Sequence, residues 1–173
     1  MNVKDAFLPL LGELVWSVHR GHGTFLTMEF GLPHRIIREP IVASKEASAR
    51  VKRNLAKRRV TIVGDWHFWI EMAHWEVKTT NCSVSDHDVQ AVKIDEALHE
   101  LDGQKLLSVG FGEQASSCIL RFDLGGFIHI FPYENYQHSG KDSETQLWSI
   151  SHFNTQIVYL KADGTLTTYK LPK

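Results

Sequence analysis

Residues 5–18 and 96–109 follow one pattern without a gap, and a chain that writes the same segment twice is expected to fold as two comparable halves. Ala6 and Ala97, Leu10 and Leu101, Gly12 and Gly103, Ser17 and Ser108, and Val18 and Val109 coincide, and acid matches acid at Asp5 and Glu96. Each copy reads as a helix stopped by glycine and followed by a strand. In the second copy Ser85-Asp86-His87-Asp88 offers an N-cap with acids in the first turn, and Ile94, Ala97, Leu98 and Leu101 recur at helical spacing. Gly103 then suits the left-handed position that closes a helix. In the first copy Pro9 falls inside the segment and should leave that helix short or kinked, because proline lacks an amide donor and crowds the preceding turn.

The strands that follow are read from period-two alternation. Leu14, Trp16 and Val18 alternate, Arg20-Gly21-His22-Gly23 turns, and Leu26, Met28 and Phe30 alternate on the return. In the later half Leu107, Val109 and Phe111 lead to Cys118, Leu120, Phe122 and Leu124, so Cys118 should point inward. A third strand places Ile62, Gly64, Trp66, Phe68, Ile70 and Met72 on one face and Thr61, Asp65, His67 and Glu71 on the other; its later counterpart runs from Phe127 to Phe131 beyond Gly125-Gly126. His74-Trp75-Glu76-Val77 and Leu147-Trp148-Ser149-Ile150 end the two halves, and a last hairpin turns at Asp163-Gly164.

The fold expected is α+β and mostly antiparallel β, with two repeated helix-plus-β-meander halves at about 4–78 and 88–151 in one β-rich domain. A C-terminal hairpin occupies 156–170, and a basic helical insertion at 34–59 distinguishes the first half. In that insertion Ser44 can cap a helix running to about Lys57, with Ala47, Val51 and Leu55 as a narrow apolar stripe, while Pro33 and Pro40 keep the approach extended.

The insertion carries nine Lys and Arg residues against Glu39 and Glu46, a balance of +7, which leaves ten against eighteen acids, or −8, in the rest of the chain. A formal net charge of −1 therefore conceals a divided molecule, and such asymmetry bears on partners rather than on fold. Packing the stripe would leave Arg50, Lys52, Arg53 and Lys57 free to meet an acidic protein or phosphates, and Arg58 joins them as a partner-binding candidate. The opposing expectation is a solvated basic face docked beside the chain's own acidic body. Nucleic acid ranks below an acidic protein partner, because no aromatic residue interleaves with the helix's cations and no recognisable nucleic-acid module accompanies them. The polar loop from Pro132 onward adds Tyr133 and Tyr136 as recognition candidates.

Other chemistries are weaker. Asp65, His67 and Glu71 share a strand face and are the candidates for a metal-assisted hydrolase, the alternative function, although polarity for solubility alone explains an outward face. No metal or other cofactor is expected. Cys82, near Asp86 and His87, is the one thiol worth weighing as a nucleophile, but the nearby acids would raise its pKa. With Cys118 it makes only two cysteines, too few for a disulfide framework, and both are read as free. Gly21 and Gly23 lie in a turn that lacks the lysine and hydroxyl of a phosphate loop. Trp16, Trp66, Trp75 and Trp148 are read as core, with Trp69 on the opposite phase.

The helix-Gly-strand opening, the charged insertion and the Trp66-His67-Phe68-Trp69-Ile70 strand together resemble small bacterial proteins, some of them toxin-neutralising immunity proteins. The resemblance transfers no functional residue. The expectation is a non-enzymatic, cytoplasmic macromolecule-binding protein without membrane association, possible as a homodimer, whose insertion engages an acidic protein, an immunity-type inhibitor being one form.

Overall fold

The computed structural model describes residues 2–112, 116–133 and 144–171. Helix α1 (Val3–Phe7) is capped by a reciprocal pair of hydrogen bonds between Asn2 and Asp5 and passes directly into a 3₁₀ turn at Leu8–Leu10 that accommodates Pro9. Strands β1 (Val15–Arg20) and β2 (Leu26–Phe30) form a hairpin. An outlying pair, β3 (His34–Arg38) and β4 (Arg59–Val63), carries helix α2 (Ala49–Leu55) between its strands. Strands β5 (Trp66–Ile70), β6 (Ala73–Lys78) and β7 (Ser83–Ser85) precede helix α3 (Ala91–Leu101). The rest is β8 (Leu106–Phe111), β9 (Cys118–Phe122), β10 (Phe127–Pro132), β11 (Gln146–His152), β12 (Gln156–Lys161) and β13 (Leu166–Lys170).

Two antiparallel sheets result, six-stranded in the order β1-β2-β5-β11-β12-β13 and five-stranded in the order β7-β6-β10-β9-β8. Their membership is exchanged. β6 follows β5 in the chain yet pairs with β10 in the second sheet, and β11 returns from the second sheet to pair with β5 in the first. Both sheets bury side chains in one core, where Phe7 of α1 meets Phe68 and Trp148 of the first sheet at ring-centroid distances of 5.5 and 5.0 Å and Phe111 of the second at 6.2 Å. No described helix is long and apolar enough to cross a membrane.

At the junction the two similar segments bond to each other. The amide of Gly12 donates to the carbonyl of Leu106, and the amide of Gly103 donates to the carbonyl of Val15, both at 2.7 Å. Between them Val15 N–H reaches Gln104 O and Leu106 N–H reaches Glu13 O. Gly12 and Gly103 share a left-handed backbone, φ +83° and +85°, which glycine adopts without a Cβ penalty.

Three strand expectations are corrected. Leu14 is exposed while Val15 is buried, because the β1 register slips between Trp16 and His19, with Ser17 at φ +53°. β8 slips likewise between Leu106 and Ser108, burying Leu106 and exposing Leu107. Such a bulge inserts one residue and resets the alternation, so Trp16 is only half-buried; Trp66 is half-buried too. The long third strand is divided at Gly64-Asp65, its first part belonging to the outlying pair. A Cβ on Gly64 would lie 2.5 Å from the carbonyl oxygen of Phe30, so glycine is what lets the chain turn there.

The helix boundaries also differ. Ser48, not Ser44, caps α2 by accepting from Val51 N–H, and none of its residues is buried, so the Ala47-Val51-Leu55 stripe packs on no core. Helix α3 buries Ile94, Ala97, Leu98 and Leu101, but Gln90 stands at its N-cap. Ser85 and Asp88 instead close a turn after β7 through Asp88 N–H to Ser85 O and Ser85 N–H to Asp88 Oδ2. Leu124 is exposed in the turn before β10.

Candidate binding arm

No residue in the stretch 32–63 is buried. Such a segment has no core of its own, and its order comes from hydrogen bonds: five paired positions between β3 and β4, from His34↔Val63 to Arg38↔Arg59. Arg38 then reaches from the ribbon to the end of α2, donating to the carbonyls of Asn54, Leu55 and Lys57. Those are acceptors a helix C-terminus leaves unmet, and a cation there is favoured by the helix dipole. Ile41 N–H also donates to Leu55 O.

Two carboxylates fasten the root. Asp65 accepts from His34 Nε2 at 2.6 Å and from Leu32 N–H at 2.7 Å. The buried Glu29 accepts from Gly64 N–H at 2.8 Å and pairs with His67 Nδ1 at 2.8 Å. His34 stacks on Phe153, centroids 4.3 Å apart and rings 6° from parallel. The hydrogen bond from His34, then that from Leu32, holds the Asp65 carboxyl below its ordinary range.

This geometry accounts for the residues expected to bind metal. Asp65 and His67 serve the root of the arm with separate partners, and Glu71 accepts from Gln146 and Ser149 while burial pushes its pKa up. The three are therefore not brought together around one point. His129 does not join His67 either, standing 3.6 Å from Glu76 Oε2. Trp69 packs edge-on against Phe25 beside His67. Cys118 is buried and its thiol is pushed up to about 12, whereas half-buried Cys82 lies 3.4 Å from Thr79 Oγ1.

The predicted basic residues do share the arm. Arg50, Arg53 and Lys57 are exposed, Lys52 Nζ donates to Lys45 O at 2.7 Å, and Arg58 forms a two-nitrogen contact with Glu39. Among the described residues, Glu39 is the one carboxylate that pairs with a Lys or Arg of the arm, and it belongs to the arm itself. Among the described residues no carboxylate of the body outside the arm forms an ion pair with these cations. Tyr133 lies elsewhere, its hydroxyl 2.8 Å from Thr24 Oγ1 and its ring edge-on to His74; Tyr136 falls outside the described residues.

What sequence reading missed is the apolar share of this surface. Arg35, Ile37, Val60 and Ile62 occupy one face of the ribbon, and these three aliphatic side chains are exposed. Near the tip Val42 is 96% exposed, beside an open cleft of about 500 Å³ lined by Pro40, Ile41, Val42, Ala43, Lys52 and Ala56 among others. A second cleft, about 430 Å³, gathers Arg38, Lys57, Arg58 and Arg59. The chain matches no protein-family model, no curated protein and no solved structure.

Proposed function

We propose that this chain is a binding protein whose arm docks on an acidic surface of another protein. The observation that carries the reading is the coreless, cation-rich stretch 32–63, fastened at its root yet paired, among the described residues, with only one carboxylate, its own Glu39. A surface mixing exposed aliphatic side chains with cations matches a protein interface, where apolar anchors supply affinity and charge supplies steering and selectivity. It matches a phosphate backbone less well, since aliphatic ribbon residues add nothing to counterion release. An inhibitor that covers an acidic region of a toxin is one form such a binder takes. The two mutually bonded segments favour reading the body as a pair of related halves, with the arm as the piece added to the first.

The test compares the full chain with its Arg50→Glu, Arg53→Glu, Lys57→Glu variant in affinity capture from cells of the source organism. An acidic protein that cross-links to Lys45, Lys52 or Lys57, is released by salt and is lost from the variant supports the proposal. Retention unchanged by the reversal overturns it. Steeply salt-dependent binding to a DNA or RNA duplex would put nucleic acid in the partner's place, and reversal-sensitive self-association in sedimentation would put a second copy there.

A further inference from the structure

Where β6 begins and the turn after β7 follows, three donor side chains converge. His74 Nδ1 lies 2.9 Å from Asp86 Oδ2 and His87 Nε2 lies 4.0 Å from Asp86 Oδ1. One ligand atom from each of the three residues lies within 4.8 Å of the others. Asp86 and His74 are held in place. Asp86 N–H donates to Trp75 O at 3.1 Å, Trp75 N–H donates back to Asp86 Oδ1 at 3.4 Å, and the rings of Phe131 and Tyr133 flank His74 at 5.3 and 4.2 Å.

The Asp86 side chain is only 1% exposed, and among the described residues no Lys or Arg reaches it. A carboxylate so far from water requires a compensating cation or strong hydrogen bonds. Its partners are the Trp75 amide, at a long 3.4 Å, and two imidazoles, one of which, His87, is 71% exposed and leaves the cluster open to solvent on that side.

We propose that His74, Asp86 and His87 form a binding site for a zinc-class divalent ion, with a fourth position open to water. Two imidazole nitrogens with one carboxylate oxygen suit zinc and its transition-metal neighbours, whereas magnesium and calcium favour oxygen ligands throughout. Tetrahedral bonds of about 2.1 Å set donors roughly 3.4 Å apart; one ligand atom from each of the three residues already lies within 4.8 Å of the others, and the exposed His87 side chain can close the remaining distance. When the ion binds, His74 turns its Nδ1 lone pair to the metal and carries its ring proton on Nε2 instead, so the hydrogen bond to Asp86 gives way to coordination without loss of a proton from the pair. The site stands on elements other than the arm and is independent of the binding reading.

The experiment is calorimetric titration of ZnCl₂ into the full chain, free of any tag and stripped with chelator, together with the visible spectrum of the CoCl₂-loaded chain. A single zinc equivalent should bind, with cobalt d–d bands showing nitrogen and oxygen ligation. His87→Ala should weaken zinc by at least about tenfold, the lower end of what even an outer partner of a metal contributes. It should also remove the cobalt bands while leaving the metal-free circular dichroism and melting midpoint unchanged, since His87 is exposed. Asp86→Asn should act in the same direction, and if it does not fold, His87→Ala decides alone. Absence of zinc binding at millimolar concentration, or binding that His87→Ala leaves unaltered, overturns the proposal; the latter would place the ion on others of the ten histidines.

Discussion

Arg58 grips Glu39 through Nε and Nη2, with contacts of 2.9–3.0 and 2.8 Å, and so ties the chain entering the tip of the arm to the chain leaving it. Both side chains are more than half exposed, at 62% and 63%, so the pair should contribute less than about 1 kcal/mol to stability. Glu39→Gln should scarcely change the midpoint of urea unfolding while raising the arm's charge by one. Any partner held through the arm should then bind more tightly at low salt, a difference that added salt erases.

Core substitutions should behave differently. Phe7 is buried between residues of both sheets, so Phe7→Ala should cost about 3–5 kcal/mol through lost transfer and the cavity left behind. Equilibrium denaturation would show it as a lower midpoint at an unchanged slope.

At the bend between β4 and β5, Gly64→Ala forces a methyl group against the Phe30 carbonyl, and backbone there cannot yield as a side chain would. A loss of about 1–3 kcal/mol is expected, the usual range for overpacking. Faster hydrogen exchange at the Gly64 and Leu32 amides would locate the damage at the root of the arm.

The acid limb of stability should report Asp65 and Glu71 with opposite signs. Asp65 has its folded pKa lowered, chiefly by the hydrogen bond from His34. Its contribution is complete above the unfolded carboxylate value and is lost as pH falls through the lowered one. Glu71 is raised, chiefly by burial, so the folded state loses stability as pH climbs from the unfolded value through the raised one. Asp65→Asn should therefore flatten the acid limb. Glu71→Gln should gain on the wild type as pH increases through its window, both read from unfolding free energies measured against pH.

Thiol titration separates the cysteines. With its thiol pushed up to about 12 by burial, Cys118 should react with an aromatic disulfide only after unfolding, leaving Cys82 as the group available in the native chain.

Much of this architecture is legible in the pattern of residues. Helix α3, its glycine stop and the alternation in β2, β9 and β6 follow from local spacing, because those elements bury one regular face. The bulged strands escape such reading, since nothing in Trp16-Ser17 or Leu107-Ser108 announces an extra residue. The split at Gly64 escapes it too, because β4 and β5 continue the same alternation and only the approach of Phe30 separates them. Charge located the arm, but its lack of a core depends on what fails to pack against it. His74, Asp86 and His87 were hidden for a related reason: an acidic stretch ahead of an amphipathic helix has the appearance of a cap, and strand pairing alone brings His74 to it.

The exchange of β6 and β11 between sheets bears on how the chain is made. When the ribosome has released everything through β6, the strand that will lie along it, β10 (Phe127–Pro132), has not been synthesised. One side of β5 waits still longer for β11. Neither sheet can close before those strands are made, so the nascent chain carries open strand edges until β11 has emerged, and holding factors at the exit tunnel would find their substrate in that interval.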